Sequence, residues 1–430
     1  MMNPLASNLN KQIQEESSYI YEMLSELGKQ LYYPKGILTQ TAEAKQKASR
    51  FNATIGIATE EGHPMYLPVL QETLSFYDPK ELYDYAPPAG KPELRSIWRQ
   101  KLLLENPSLK DKSIGNPIVT NALTHGLSVI ADMFVDRDDP LILPDKYWGN
   151  YSMIFGVRQG ARIVTYPFFT DEGKMNISDL KQTLLAQREQ HKAILLLNFP
   201  NNPTGYTPDE ADADEIVQTV LEAAEQGMNL IVVSDDAYFG LFYENSLSES
   251  LFARLANIHP RVLAIKVDGA TKEEYVWGFR VGFLTFAAES PAVLAALEQK
   301  ALGIIRGTIS NASHPSQTFV LHALESPDFQ TQKLEKYNIL AARARKVKQV
   351  LDSGKYDDAW SYYPFNSGYF MCLKLKSVNA EQLRKHLLET YGVGVISLGE
   401  TDMRVAFSCV EEKDIKELFD LIYQGAKDLT

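Results

Sequence analysis

At 430 residues the chain is longer than a single apolar core usually serves, so two domains are expected. Hydrophobic residues make up 45% and charged residues 23%, the balance of a soluble globular protein, and a formal net charge of −12 argues against a nucleic-acid or anionic-membrane partner. A small anionic ligand held by local arginines is not excluded by that charge.

The opening segment, MMNPLASNLNKQIQEESSYIYEML, is polar and has no apolar stretch of the kind a signal peptide carries. From Asn8 to about Leu31, Ile13, Ile20, Met23, Leu24 and Leu27 recur at helical spacing and predict an amphipathic helix. No run of about 18 uninterrupted apolar residues occurs, so no membrane-spanning helix is expected. The only cysteines are Cys372 and Cys409, too few for a stapled secreted chain of this length; they fit a reducing cytoplasm and are expected to be two buried thiols. No His/Cys cluster accompanies them, and no metal site is expected.

From about Ile118, short β-branched runs alternate with longer helical patterns. PIVT precedes a helix through Val135; PLILP, ARIVTYP and AILLLNFP follow; a helical stretch over 215–225 leads into NLIVVSDDAY, and then come RVLAIKVDG and VGFLTF. This alternation predicts an α/β fold with a mostly parallel sheet covered by helices on both faces. A helix over about Pro291 to Leu324 would bridge to the last hundred residues. There a helix over about 334–351, the run YFMCLKLK, a helix over 380–389, the run MRVAFS and a closing helix from Glu411 predict a smaller α+β domain. The expected division is residues 66–320 for the large domain, with 1–65 and 321–430 contributing to the small one.

Three segments at strand ends carry chemistry. Asn198-Phe-Pro-Asn-Asn-Pro-Thr-Gly205 follows AILLL; it is either a plain turn or a rigid set of amide donors at the sheet edge where α/β proteins bind ligands. Ser234-Asp-Asp-Ala-Tyr238 follows LIVV and would bury a carboxylate, which needs a cationic or hydrogen-bonding partner unless it merely caps a turn. Gly269-Ala-Thr-Lys272 precedes Gly278-Phe-Arg-Val-Gly282; a lysine desolvated among small residues becomes a nucleophile, whereas a solvated loop lysine does not, and Arg280 has the planar fork that suits phosphate.

Together these residues resemble the fold-type I pyridoxal 5′-phosphate (PLP) enzymes, in particular the class I/II, aspartate- and aromatic-type aminotransferases, whose signatures are NNPTG, DxAY and K-x5-G-x-R-x-G. The similar layout extends from about Phe51 to Phe407. The resemblance implies that Lys272 carries PLP as a Schiff base and then shuttles a proton, and that Asp235 pairs with the pyridinium nitrogen; Asp236 falls one place too far along. It implies that Asn202 and Tyr238 bond the ring's phenolic oxygen, and that Trp148 stacks on the ring, with Tyr147 as the neighbour if the match slips by one. Ala122, Leu123, Thr124 and Arg280 would hold the phosphate at a helix N-terminus.

Tyr85 resembles a tyrosine that reaches the phosphate from a neighbouring subunit, which implies a homodimer with shared sites. Arg404 resembles the arginine that grips the substrate α-carboxylate, Ile55-Gly56 the segment that closes over the substrate, and Arg306 the arginine that binds a distal carboxylate from the adjacent subunit. An arginine at this last place also occurs in enzymes that take aromatic substrates. The chain departs from the family pattern at Gly269, where a phosphate-binding serine is usual, and at Ala122, where glycine is frequent. The implied activity is transfer of an amino group from an L-amino acid to a 2-oxo acid. A β-lyase or decarboxylase would keep the same site, and a PLP-binding regulatory domain would keep the fold; the acidic charge and short leading segment count against the regulatory reading.

Overall fold

The computed structural model of the protein describes residues 2–16, 24, 29, 37–54, 56–73, 77–190 and 192–430. The expected N-terminal helix is seen as α1, Pro4–Glu16; most of the remainder of that expectation lies outside the described residues, as does Ile55. Helix α2, Ile37–Lys47, and helix α3, Pro92–Glu105, precede the main sheet.

The main sheet has seven strands: β1 Ile118–Asn121, β2 Pro140–Pro144, β3 Arg162–Tyr166, β4 Ala193–Asn198, β5 Leu230–Asp235, β6 Val262–Asp268 and β7 Val281–Ala287. Their spatial order is β1-β7-β6-β5-β4-β2-β3. All neighbours are parallel except β7, which runs antiparallel to both β1 and β6. The reversal of β7 leaves β1 and β6 pointing the same way. The carboxyl ends of β1, β4, β5 and β6 therefore share one edge, and β7 begins there. Strands β2, β4 and β5 are buried at every position, as strands with helices on both faces must be.

Helix α4, Ala122–Phe134, starts directly at the end of β1, and α5, Glu210–Glu225, is capped by Asp209, whose side chain accepts from the Asp212 amide. That cap starts the helix five residues earlier than the apolar spacing suggested. The bridging helix expected over 291–324 is two helices, α6 Pro291–Thr308 and α7 His314–Glu325. Ser310 between them is left-handed (φ 67°), and Ser310-Asn311-Ala-Ser313 followed by Pro315 in the first turn of α7 is a stop-and-start signal that the single-helix expectation passed over.

Helix α8, Phe329–Leu351, leads to a four-stranded antiparallel sheet, β8 Trp360–Tyr362, β9 Phe370–Leu375, β10 Ile396–Leu398 and β11 Asp402–Ala406, in the order β8-β9-β11-β10. Helices α9, Ala380–His386, and α10, Ile415–Asp428, pack with it. Ala53 belongs to this apolar core, and Phe51–Asn52 pairs in parallel with Val393–Gly394, so the early chain returns to the late one. Cys372 is buried, whereas Cys409 is only half-buried, against the expectation of two buried thiols. No helix among the described residues is long and apolar enough to cross a membrane.

Candidate active site

A cavity of about 290 Å³ opens at the shared strand edge. Eleven of the residues singled out from the sequence line it: Gly56, Ala122, Leu123, Thr124, Trp148, Asn202, Asp235, Tyr238, Lys272, Arg280 and Arg404. Asp236 and Tyr147 do not. Asp236 turns behind the sheet edge, because successive strand residues face opposite ways, and the Tyr147 hydroxyl bonds Ser152 at 3.1 Å.

Asp235 ends β5. Burial pushes its carboxyl up to about 6, against a 2.6 Å hydrogen bond donated by Tyr151 and the positive charge of Lys272. The Ala237 amide donates to its other oxygen at 3.2 Å, and Asn198 Nδ2 donates to its carbonyl at 2.8 Å. Asn198 Oδ1 in turn accepts from the Asn202 amide at 2.9 Å, tying the NNPTG loop to the end of β5. That loop also needs its glycine: at Gly205 (φ +76°) a Cβ would sit 2.0 Å from the Phe370 carbonyl oxygen.

Lys272 lies in the short helical turn after β6. Burial lowers its amine to about 8; Asp235 works against this and Arg280 with it. Its Nζ stands 5.0 Å from the centre of the Tyr238 ring, and Tyr369 donates to its carbonyl oxygen at 3.1 Å. The lysine is thus held on both its backbone and its side-chain sides.

Around Ala122 the chain is crowded. Ala122 is left-handed (φ 60°), which explains the frequency of glycine at such a place, and its amide donates to the Arg280 carbonyl at 2.8 Å. A Cβ at Gly282 would come within 2.6 Å of Ala122. The N-terminus of α4 has no side-chain cap, so its first-turn amides after Ala122 are open to an acceptor in the cavity. Arg280 makes no ion pair among the described residues; its guanidinium donates to the Trp277 carbonyl at 3.3 Å, and burial alone lowers its pKa. An uncapped helix start beside an unpaired guanidinium suits a phosphate.

Gly269 is explained by space. Its φ of 167° suits any residue, but a Cβ would lie 2.6 Å from the Val281 carbonyl oxygen and 2.8 Å from Gly282 Cα. A serine does not fit. Thr271 lines the cavity two residues on, with its hydroxyl 3.5 Å from the Val281 carbonyl.

Arg404, on β11, is 2% exposed and has no carboxylate partner among the described residues. It donates to Asn202 Oδ1 and to the Thr54 carbonyl, each at 3.0 Å, and its guanidinium lies 4.1 Å from the Phe370 ring centre. Its Nε is buried without a partner, so a carboxylate would complete it. Two residues earlier, Asp402 pairs with Lys146 at 3.1 Å, linking β11 to the loop that carries Trp148.

Tyr85 and Arg306 lie outside this cavity. They line a separate surface hollow together, Tyr85 being 92% exposed and Arg306 hydrogen-bonded to Ser310. Asn198, at the head of the Asn198–Gly205 segment, also lines the cavity, and sequence reasoning missed Tyr151, Thr41, Thr54 and Phe370. Tyr151 had a signal in its place one helical turn after Trp148; Thr41 on α2 and Phe370 on β9 had none, since only the fold brings them to the site.

A buried carboxylate without an ion pair, a desolvated lysine and an anion cradle in one cavity match the charge pattern of PLP: a protonated ring nitrogen, an aldehyde and a phosphate. The residues present fit that group. A family model described as aminotransferase class I and II matches residues 55–422. The chain is 27% identical over 298 residues to a probable aspartate/prephenate aminotransferase of Aquifex aeolicus, covering 68% of this chain and 70% of that one. It is 23% identical over 394 residues to the cytoplasmic aspartate aminotransferase of Caenorhabditis elegans, covering 88% and 93%. An aminotransferase from Anaerococcus prevotii shares the fold with a TM-score of 0.84 at 23% identity, over 95% of this chain and 99% of that one.

Proposed function

The chain belongs to the aminotransferase class I and II family and is a PLP-dependent aminotransferase, and we propose that it moves the amino group of an L-amino acid, dicarboxylic or aromatic, to a 2-oxo acid in a ping-pong cycle. The observation that carries the reading is Lys272, a buried amine lowered to about 8 in the same cavity as Asp235.

In this reading Lys272 Nζ holds the aldehyde carbon of PLP as a Schiff base. The bound cofactor supplies a cationic ring that takes up the electrons left by the departing substrate proton. As a free amine, Lys272 Nζ would accept the proton from substrate Cα and would hold it for return on the other side of the transfer. Asp235 accepts the ring N–H, steadied by Tyr151. Asn202 Nδ2 and the Tyr238 hydroxyl donate to the phenolic oxygen, while Trp148 covers the ring. The Leu123 and Thr124 amides, the Thr124 hydroxyl and Arg280 would hold the phosphate, beside Ala122, whose own amide is taken by the Arg280 carbonyl. Arg404 grips the substrate α-carboxylate, and Gly56 allows the neighbouring segment to lie over it.

Arg404, Arg280 and Lys272 are the cationic side chains lining the cavity, and in this reading all three are engaged. A distal substrate carboxylate then needs another cation. Tyr85 and Arg306 stand together at the surface, which supports their contribution from a second copy and hence a homodimer. The core shared by Ala53 and residues 344–426 supports grouping the segment at Ala53 with the C-terminal small domain, while Ala58, Met65, Leu321, Phe329 and Leu340 pack with the main-sheet core, which sets the proposed bounds 1–65 and 321–430 inward. Cys372 and Cys409, with no disulfide among the described residues, accord with a cytoplasmic setting.

A half-reaction screen tests this function. PLP-form protein mixed with single amino acids should convert to the pyridoxamine form with aspartate, glutamate or an aromatic amino acid. Conversion with none of the amino acids would sink it.

A further inference from the structure

Behind the cavity lies a layer of buried charge that the proposed reaction does not use. It meets the site at two places, each one residue from a functional group. Asp236, next to Asp235, accepts from the Ser250 hydroxyl at 2.6 Å and pairs with Lys266. Lys266 is 1% exposed and stands 3.6 Å from Asp268, whose carboxylate accepts from Trp98 Nε1 at 3.1 Å. Lys101, one turn along α3 from Trp98, lies 4.7 Å from that ring's centre. It pairs with Glu273 at 2.5 Å, Glu274 at 3.6 Å and Glu105 at 2.7 Å. Lys333, near the start of α8, pairs with Glu273 at 2.9 Å and Glu274 at 3.2 Å. Glu273 and Glu274 directly follow Lys272 and are both buried.

Buried ion pairs of this kind are weak stabilisers, because desolvation offsets most of their attraction, and well-packed apolar side chains would hold the same space as well. What charge provides over an apolar contact is a defined position and a defined field. The ties converge on the lysine turn from two separate helices, α3 and α8. Against the upward push of burial, Lys101 and Lys333 hold Glu273 well below the usual carboxylate range, so it remains an anion.

We propose that Lys101, Lys333 and Glu273 form a positioning device for Lys272, with Lys266 and Asp236 serving Asp235 in the same way, and that the device also sets the electric field at the Lys272 amine. The inference rests on the assignment of Lys272 as the cofactor-bearing residue. The charged and titratable groups that share the cavity with that amine are Tyr151, Asp235, Tyr238, Arg280 and Arg404, of which Asp235 and Arg280 act on it directly, while Glu273 and Glu274 follow it in the chain and carry the ties to Lys101 and Lys333. None of the residues of the device lines the cavity. Their effect passes through Lys272 and Asp235.

The test is a pH titration of the visible absorbance of the full-length PLP-loaded protein, with thermal melts as a folding control. Lys333→Met removes a cation and should raise the titration midpoint by roughly half a unit, since excess negative charge favours the protonated Schiff base. Glu273→Gln removes an anion and should lower it by a similar amount; the double variant should return close to the parent. Glu273→Gln is isosteric and gives a reading even if Lys333→Met does not fold. Shifts of the same sign, or no shift in Glu273→Gln, would overturn the device while the parent still showed its titrating band. If Lys272→Ala kept that band, the assignment of Lys272 itself would fall instead.

Discussion

The Tyr151 hydroxyl donates a 2.6 Å hydrogen bond to Asp235 Oδ2, at a carboxylate that has no ion pair among the described residues. The bond lowers the carboxyl, yet burial is the larger effect and leaves it at about 6. A carboxyl whose folded value is raised contributes stability that is complete below its unfolded value, about 4, and is lost as pH rises through about 6. Without cofactor, the protein therefore bears an ionised, poorly compensated Asp235 at neutral pH.

Asp235→Asn should remove that cost. The shift corresponds to on the order of 3 kcal/mol at most. Cofactor-free protein carrying Asp235→Asn should melt a few degrees higher than the parent at pH 8, with little difference at pH 4, while turnover with added PLP is lost. Equal melting of the two proteins at pH 8 would contradict the account of the carboxylate.

Lys272 has its own pH signature. An amine at about 8 is roughly one-tenth neutral at pH 7 and mostly neutral at pH 9. The rate at which cofactor-free protein takes up PLP, followed by absorbance, should rise about tenfold across that range and then level off. A rate still climbing steeply beyond pH 10 would indicate an ordinary solvated lysine.

Gly269→Ser would restore the hydroxyl that the family pattern has, but its Cβ would strike the backbone of Val281 and Gly282. Overpacking of this kind costs about 1–3 kcal/mol. Lower melting temperature and weaker PLP retention on dialysis are expected. Tighter PLP binding in Gly269→Ser would show that the turn has room.

Arg306→Gln should separate substrate classes. If Arg306 of a second copy meets the distal carboxylate, KM for aspartate or glutamate should rise at least tenfold, with an aromatic amino acid little affected, because a lost charge-assisted contact is worth about 1.5–3 kcal/mol. Tyr85→Phe should instead weaken PLP retention. Equal effects of Arg306→Gln on both substrate classes would place Arg306 outside the substrate site.

Much of this arrangement was legible in the chain because each functional group sits at a strand end that its own sequence announces. AILLL runs into Asn198, LIVV into Asp235 and RVLAIKVD into the Lys272 turn, and parallel strands bring those ends together. The break at Ser310 was readable in Ser310-Asn311-Ala-Ser313 and Pro315, but the expectation of one bridging helix ran through it. Gly269 looked like a missing donor, since nothing in a linear sequence reports that Val281 closes over it. Thr41, Thr54 and Phe370 reach the cavity from distant segments, and only the packing of α2 and the small sheet against the main one makes them part of it. The ionic layer behind the site was equally silent: Lys101, Lys266 and Lys333 are far apart in the chain, and each alone reads as a surface lysine.

The central claim is that Lys272 carries the cofactor, and borohydride reduction followed by peptide mass mapping tests it most directly. Reduction of the PLP-loaded protein should fix a phosphopyridoxyl adduct on the peptide that contains Lys272, with no adduct in Lys272→Ala. An adduct on any other lysine, or none on that peptide in protein that is otherwise fully loaded, would contradict it.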